Sequence, residues 1–430
     1  MKVRNVLVFP AGTEVGLEIF NALRSCKEVK VFGAGQAVSN PAQLVFDEYH
    51  LVASIHQPMW FEQLCELCER LSIDYIYPAY DDVIVALQDV ADRLPCPVIA
   101  ASPEVCRLTR SKSKTYEALG ALIRVPKTFE TPGDVTNFPV FVKPDKGQGS
   151  QGATRADDQA GLASAISALK EPLICEFLPG EEYTVDCFSD RDRGLLFAGA
   201  RRRVRTRNGI AVNSVSVELR ESHAIASLIS DRLRMHGPWF FQLKRAADGE
   251  LTLLEIAPRI AGSMALNRVR GVNFPLLGIY EHERLPLGLL TYEGPLEIDR
   301  ALSNRYRHCI RFSLAYLDLD DTLILRGEVN LSIIAFVFQC INRAISVKLI
   351  TRHRFDVEAT LRQYRLTGLF DDVIHIVDGR AKSEFIKERD AIFIDDSFAE
   401  RRNVSEKCGI LTFDCSMIEM LLDSLPPLRA

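Results

Sequence analysis

Four elements near the end of the chain carry residues suited to phosphoryl chemistry: Asp318-Leu319-Asp320-Asp321-Thr322, Thr351-Arg352, Lys382 and Asp395-Asp396-Ser397. The acid pairs follow the apolar runs Leu314 to Leu317 and Ala391 to Ile394, and Thr351 follows Val347 to Ile350, each of which reads as a strand. Residues just past the carboxyl ends of parallel strands converge on one crevice, so Asp318, Asp320, Asp395 and Asp396 are predicted to meet there. Carboxylates brought together raise one another's pKa values, and a hard divalent cation such as Mg2+ keeps them ionised. Asp318 is then free to attack phosphorus and form an aspartyl phosphate. Asp320, two residues on, protonates the leaving oxygen and later activates water. Acids that only cap strands explain one pair, but hardly all four elements.

A second constellation lies mid-chain. The run Pro139 to Pro144 reads as a strand ending in Lys143, followed by Asp145-Lys146-Gly147-Gln148-Gly149-Ser150-Gln151-Gly152. Glycines at 147, 149 and 152, with Ser150 among them, allow the backbone to wrap phosphates while Lys143 brings charge; a flexible hairpin tip explains the loop taken alone. It is not a Walker A loop, because G-x-x-x-x-G-K-[ST] is absent. Downstream, Glu176 with its flanking backbone groups is suited to an amino-purine edge, and Glu182, past the Pro179-Gly180 turn, to ribose hydroxyls. Glu255 and Arg259, in Leu251 to Arg259, pair a magnesium ligand with a guanidinium that stabilises a phosphoryl group. The run Arg201-Arg202-Arg203-Val204-Arg205-Thr206-Arg207 reads as a loop binding an acidic substrate or phosphates. A solvated face and a nucleic-acid patch are the alternatives, and the second lacks aromatic or further basic support nearby.

These residues need a frame of strands and helices. The first hundred residues alternate β-rich runs (Asn5 to Phe9, Val29 to Phe32, Asp74 to Tyr77, Pro97 to Ala100) with helical stretches such as Leu17 to Leu23, a doubly wound α/β pattern. The turn Pro10 to Gly16 is either a tight strand-to-helix link or a loop that meets a ligand. Asp81-Asp82, close after a strand, is either an amine contact or a helix cap. The expected organisation is an α/β multidomain chain: a Rossmann-like domain over 1–102, an α+β domain over 103–300 and a Rossmannoid domain over 308–430. The joint falls near Glu293 to Ser303, whose Gly294-Pro295 and polar run through Asn304 suggest an exposed connector. Only 28 residues separate Thr322 from Thr351, and 30 separate Thr351 from Lys382, which leaves little room for a cap over the last site. Such a site accepts a bulky phosphate or is roofed by another domain.

Composition bounds these readings. The chain has 430 residues, 47% hydrophobic and 25% charged, with 25 Gly and 20 Pro, so it is neither disordered nor fibrous. With 52 Lys+Arg against 57 Asp+Glu, its net charge of -5 gives no global attraction to nucleic acid or an anionic membrane. No apolar run approaches the roughly 18 residues of a bilayer span, and the opening residues read as a strand, so a cytoplasmic protein is expected. The eleven cysteines are scattered and suit reduced packing thiols. Cys65 and Cys68 form a C-x-x-C inside the helix-like Trp60 to Leu71; a packing helix and a redox or metal role both stand there. The histidines are dispersed, with no His/Cys cluster.

Taken in order, the middle pieces resemble the ATP-grasp superfamily, in particular its carbamoyl-phosphate synthase-like and carboxylate-amine ligase branch. The resemblance covers about residues 1 to 290 and includes Lys112-Ser113-Lys114-Thr115-Tyr116-Glu117-Ala118-Leu119 ahead of Val125-Pro126-Lys127-Thr128. It implies a pre-ATP-grasp domain and an ATP-grasp domain, with ATP and Mg2+ as cofactors. Lys112 and Lys143 would touch the nucleotide phosphates, Gly147 to Gly152 would form the mobile loop, Glu176, Phe177 and Leu178 would hold adenine, and Glu182 ribose. Gln242 and Glu255 would sit at the magnesium, and Arg259 would face the transferred phosphate and the substrate carboxylate. Where that family usually has Glu-x-Asn-Pro-Arg, this chain reads Glu255-Ile256-Ala257-Pro258-Arg259. Alanine cannot ligate a metal, so Gln242, water or substrate fills the position, or catalysis is reduced.

The last block resembles the haloacid dehalogenase superfamily, whose D-x-D-x-T, Ser/Thr, Lys and DD motifs occur in the expected order. The resemblance implies a capless domain with Asp318 as nucleophile and Asp320 as acid/base. Thr351 and Lys382 would hold the phosphoryl group. Asp395 with the Asp320 backbone carbonyl would support magnesium, assisted by Asp396. Together the two resemblances imply a bifunctional enzyme, an ATP-dependent carboxylate-amine ligase acting through an acyl phosphate and a Mg-dependent phosphatase. Its partners would be small-molecule carboxylates, amines and a phosphorylated small molecule; nucleic acid and membrane are not expected, and a homodimer is left open. The alternative keeps the phosphatase and makes the ATP-grasp half a nucleotide sensor or substrate-recognition module.

Overall fold

The computed structural model describes residues 2–147, 149–301, 306 and 310–422. In its first strand, β1 (Arg4–Phe9), Val6, Leu7 and Val8 are wholly out of water, as in a strand covered on both faces. It joins β2 (Val29–Gly35), β3 (Tyr49–Leu51) and β4 (Tyr75–Pro78) in a parallel sheet of order β3-β2-β1-β4. After β1, Thr13 caps the helix Glu14–Leu23 by accepting a hydrogen bond from Gly16 N at 3.0 Å. Gly16 is needed there, because a Cβ would lie 2.4 Å from the Ala11 carbonyl oxygen. The Pro97 to Ala100 run makes only the bridge between Ile76 and Val98 instead of the expected strand; prolines at 95 and 97 remove donors that a ladder needs.

An antiparallel sheet of order β5-β8-β6-β7 comes next, built from β5 (Thr128–Phe129), β6 (Val140–Pro144), β7 (Thr154–Ala156) and β8 (Pro172–Glu176). The glycine loop is the link between β6 and β7. A larger antiparallel sheet then forms from β9 (Glu182–Asp190), β10 (Gly194–Arg207), β11 (Ile210–Ser216), β12 (Gly237–Arg245), β13 (Leu251–Ala257) and β14 (Glu297–Asp299), in the order β13-β12-β9-β10-β11-β14.

Two expectations are corrected here. The arginine run from 201 to 207 is the end of strand β10, not a loop. Part of the expected connector is β14, registered on β11 with Val215 opposite Glu297, and Asn213 donates to Glu297 at 2.7 Å and Asp299 at 2.9 Å. Ser303 and Asn304 of that connector lie outside the described residues.

The chain divides into the units Met1–Leu302 and Ser303–Ala430, so the boundary expected at 102 does not separate two bodies. One apolar core explains this. Val6, Ile19 and Phe46 from the first sheet and its helices share a buried cluster with Phe188 and Phe240 of the large sheet and Phe274 of the helix Phe274–His282. Ion pairs Arg4 to Glu283 and Arg268 to Glu18, both at 2.6 Å, join the same regions.

The second unit is a parallel sheet of β15 (Leu314–Leu317), β18 (Ser346–Thr351), β19 (Asp372–His375), β20 (Ala391–Ile394) and β21 (Leu411–Phe413), with a hairpin of β16 (Ile324–Leu325) and β17 (Glu328–Val329) after β15. Its order, β19-β18-β15-β20-β21, winds outward from β15 in both directions, so the strand order reverses at β15. Between Thr322 and β18 lie only the hairpin and the helix Leu331–Asn342; between Thr351 and Lys382 lie the helix Val357–Gln363 and β19. Lys382 opens a single 3-10 turn, Lys382–Glu384. Among the described residues no helix is long and apolar enough to cross a membrane.

Candidate active sites

In the first unit, β6 delivers Lys143 into a cleft. Its buried Nζ donates to Tyr116 Oη at 2.7 Å, and Tyr116 donates to the Leu254 carbonyl at 2.7 Å. Burial lowers the Lys143 pKa from the usual lysine value, so an anion arriving there favours its charged form. Lys112, at the start of the helix Lys112–Leu119, donates to the carbonyls of Asp145 at 3.4 Å and Gly147 at 3.2 Å and so clasps the root of the glycine loop. Burial alone would raise Asp145, but hydrogen bonds from Ser113 N and Ser111 Oγ, both 2.7 Å, hold it below the ordinary carboxylate range. The loop turns through positive φ at Gly149, Ser150 and Gly152; Gln148 lies outside the described residues.

The cleft is walled by Glu176, Phe177 and Leu178 on one side and by Glu182, Gln242 and Glu255 on the large sheet. Glu176 and Lys127 are joined reciprocally: Lys127 N donates to Glu176 Oε1 at 3.1 Å, and Glu176 N to the Lys127 carbonyl at 2.8 Å. Glu182 lies between Arg203 at 3.0 Å and Lys244 at 3.8 Å. Gln242 and Glu255 are cross-strand partners on β12 and β13. Of the expected nucleotide residues, Lys112, Lys143, Gly147, Gly149, Ser150, Glu176, Phe177, Leu178 and Glu182 all line this cleft, and Gly152 does not.

A wider cleft of about 640 Å³ adjoins it and shares Gly149, Ser150, Arg203, Gln242 and Glu255, adding Thr13, Tyr80, Arg201, Arg259 and Ser263. Each of its guanidiniums already has a carboxylate. Arg201, 1% exposed, meets Asp186 at 2.9 and 3.1 Å; Arg203 meets Glu182; Arg259 is held at both ends by Asp81, Nη2 to Oδ2 being 3.0 Å. Burial lowers Arg259, but the Asp81 carboxylate more than offsets it and the pKa ends above the usual arginine value. This corrects two expectations. Arg259 points its fork at Asp81, with its guanidinium also 5.1 Å over the Phe240 ring, rather than presenting a free fork to phosphate. Asp81 is not a cap, since Tyr80 holds that position and makes no side-chain cap bond. The arginines of β10 also alternate: Arg202 bonds Glu181 at 2.6 Å, and Arg205, past a bulge, bonds Asp299 at 2.9 Å, so Arg201 to Arg205 form no continuous basic face.

In the second unit, Asp318 follows β15, Thr351 ends β18 and Asp395 follows β20. Lys382 Nζ sits between Asp318 Oδ1 at 2.6 Å and Asp395 Oδ2 at 2.7 Å. Burial raises the Asp318 pKa to about 6, with Lys382 opposing the rise and Asp395 adding to it. Asp318, Asp395 and Asp396 offer oxygens within 4.8 Å of one another. Asp320 is not in that group, a correction to the fourfold cluster expected. Its carboxylate is 52% exposed and bonds His353 Nδ1 at 2.8 and 3.0 Å, while His353 Nε2 meets Thr360 Oγ1 at 2.9 Å. Thr351 is fully buried, its Oγ1 accepting from His353 N at 3.1 Å. Arg401 donates to the carbonyls of Asp395 and Asp396, both at 2.6 Å, fixing the loop after β20.

Residues 168–286 match a family model described as ATP-grasp in the biosynthetic pathway with Ter operon. The chain is 28% identical over 90 residues to the D-alanine--D-alanine ligase of Fusobacterium nucleatum subsp. nucleatum, a match covering 21% of this chain and 31% of that ligase. Among solved structures, the ADP complex of purK, N5-carboxyaminoimidazole ribonucleotide synthetase, shares 18% identity with a TM-score of 0.56, covering 69% of this chain and 80% of its own. The biotin carboxylase domain dimer of Hydrogenobacter thermophilus 2-oxoglutarate carboxylase, with MgADP, ADP and bicarbonate, shares 13% with a TM-score of 0.58, covering 69% and 74%.

The first unit shares the fold of these ADP-bound structures, and its residues 168–286 match the ATP-grasp model.

Within the first unit, sequence reasoning missed how the arginines are held. Asp81 lies 178 residues from Arg259 in the chain, so only a three-dimensional pairing reveals it. The acids Glu182 and Asp186 carried a readable signal, since they share one face of β9 and β10 is the neighbouring strand. In the second unit His353 was missed, although it stands two residues past Thr351 on the same strand-end loop.

Proposed function

We propose that the chain is a bifunctional enzyme: an ATP-dependent ligase that joins a carboxylate to an amine, and a phosphomonoesterase of the haloacid dehalogenase type. The observation that carries the ligase reading is the shared wall of the two clefts, where Arg203, Gln242 and Glu255 face both at once. A γ-phosphoryl group bound beside Lys143 and the glycine loop would meet a carboxylate bound in the wider cleft at that wall. The carboxylate oxygen takes the phosphoryl group from ATP, giving an acyl phosphate and ADP. The amine nitrogen then attacks the carbonyl carbon, phosphate leaves and the nitrogen gives up a proton. Lys143, Lys112 and the loop N–H groups stabilise the charge that builds on the phosphoryl oxygens. The likeness to a D-alanine--D-alanine ligase supports this class, and the ADP-bound and MgADP-bound neighbours support ATP and Mg2+ as cofactors. Gln242 and Glu255 would hold a cation by hard oxygens, which would neutralise phosphate charge; Ala257 leaves that set one donor short.

In the second unit, Asp318 attacks the phosphorus of a monoester, Asp320 protonates the departing oxygen, and the aspartyl phosphate is hydrolysed by water that Asp320 deprotonates. Its place at the point where the strand order reverses supports this reading. Asp318, Asp395 and Asp396 suit a divalent cation, which would screen the carboxylates from one another and from the phosphate. Ala257, with Arg259 committed to Asp81, favours one second reading, an ATP-grasp unit that senses nucleotide without turnover. The test uses Asp318→Asn protein, Mg-ATP and pools of carboxylates and amines, following ADP. ADP that requires both an acid and an amine supports the ligase; tight Mg-ATP binding with no turnover in any pool supports the sensor.

A further inference from the structure

Three large apolar side chains stand in water around the centre of the second unit: Phe355 is 73% exposed, Phe398 68% and Val377 81%. Their places in the chain are not scattered. Phe355 follows Thr351 on the loop after β18, Phe398 begins the helix Phe398–Cys408 directly after Asp395-Asp396-Ser397, and Val377 lies two residues past β19. All three therefore sit at the carboxyl ends of strands in one parallel sheet, the edge that holds Asp318. Apolar side chains exposed singly are ordinary, but several on loops that share one crevice make a recognition surface.

These loops are tied to one another. Arg352 on the β18 loop bonds Glu400 on the Phe398–Cys408 helix at 2.8 Å, and His375 at the end of β19 bonds the His353 carbonyl at 2.8 Å. Phe355 lies edge-on to His353 at 5.5 Å between ring centres, and Arg401 sits 5.9 Å over Phe398. The rim is thus built on the same residues that hold Asp320 and Asp395. Depth fixes what reaches it. Asp318 is 6% exposed, so a phosphoryl group on it lies low in the crevice, whereas Asp320, which meets the leaving oxygen, is half exposed. The body of the ester must therefore leave the crevice past the rim, and among the described residues of the second unit no cap is inserted between Thr322 and Thr351 or between Thr351 and Lys382. Arg352, Arg380 and Arg401 are bound to Glu400, Asp378 and backbone carbonyls, so apart from the exposed Arg354 beside Phe355 the rim offers apolar contact.

We propose that Phe355, Val377 and Phe398 receive the body of the substrate, so that the second unit acts on phosphomonoesters with an aromatic or aliphatic leaving group; this rests on the phosphatase reading above. The experiment uses the full chain with Mg2+ and two esters whose leaving alcohols differ little in acidity, ethyl phosphate and 2-phenylethyl phosphate. The native chain should show kcat/KM about tenfold or more higher for the phenylethyl ester, as expected for an apolar pocket contact. The double substitution Phe355→Ser with Phe398→Ser should bring kcat/KM for the phenylethyl ester down to that for ethyl phosphate, the loss falling on KM for the phenylethyl ester. Equal kcat/KM for the two esters in the native chain, or a preference that survives the double substitution, overturns the proposal. Acetyl phosphate, too small to need the rim, separates the two levels. If its hydrolysis occurs and is lost in Asp318→Asn while no ester preference appears, only the rim fails; if no phosphate compound is hydrolysed, the phosphatase reading fails and the rim with it.

Discussion

In the first unit, three guanidiniums of the wider cleft each hold a carboxylate of their own, Arg259 with Asp81, Arg201 with Asp186 and Arg203 with Glu182, whereas in the second unit one ammonium, Lys382, serves two buried carboxylates. The first site is charge-balanced before a ligand arrives, so an incoming anion depends on Lys143, Lys112 and backbone N–H groups. The second carries surplus negative charge, which a cation would balance. Removing divalent metal should therefore disturb the second centre in its folding as well as its chemistry, and the first mainly in its chemistry.

The largest expected effect is from Asp318→Asn, which removes the proposed nucleophile. Phosphate release should fall by about 10⁴-fold or more while ADP formation holds, measured side by side on one preparation. A parallel loss of both would show that the two centres are not independent. Next, Lys143→Met should lower ADP formation by roughly 10²- to 10³-fold with phosphate release untouched.

Lys382→Met breaks the contrast from the other side. Without metal it leaves Asp318 and Asp395 facing each other in a buried place, and the second unit should lose about 3 kcal/mol, read by calorimetry. Mg2+ should recover much of that loss.

The pH dependence follows from Asp318, raised from 3.8 to about 6 by burial. A carboxyl raised in the folded state favours folding while it is protonated. That contribution is whole below its unfolded value, fades as pH climbs and is gone beyond about 6. Metal-free protein should thus lose thermal stability between those two values, and Asp318→Asn should flatten that stretch. The smallest effect expected is that of Asp81→Asn, which leaves Arg259 without its carboxylate. KM for the carboxylate substrate should change by about tenfold, with phosphate release unaltered.

What could be read from the sequence was local. An apolar run ending in Asp318, Lys143 or Asp395 announces both a strand and what it delivers, and the glycines after Lys143 announce a loop. The residues that orient these groups were legible only where their partners share a strand face. Glu182, Thr184 and Asp186 face the same way on β9, with Thr184 in register opposite Arg201, so the arginines of β10 had acids waiting across the ladder. Read as a one-dimensional charge run, those arginines suggested a loop; period-two alternation against β9 makes them a strand. Asp81 and Arg259 lie 178 residues apart in the chain, and Asp320 is held by His353, a histidine that no motif marks. The joined core of Val6, Phe46, Phe240 and Phe274 was hidden for the same reason, because apolar residues do not declare which sheet they will meet.

The short strand β14 decides how the two units can be studied apart. It closes the outer edge of the large sheet by pairing with β11, and Asn213 and Arg205 bind its acids. A protein shortened to the apparent linker at residue 293 would leave β11 as a bare edge, an invitation to edge-to-edge association. One that extends through residue 301 retains the strand, so the dividing point for separate production lies after the last rung of that ladder and not at the glycine and proline that first suggest it.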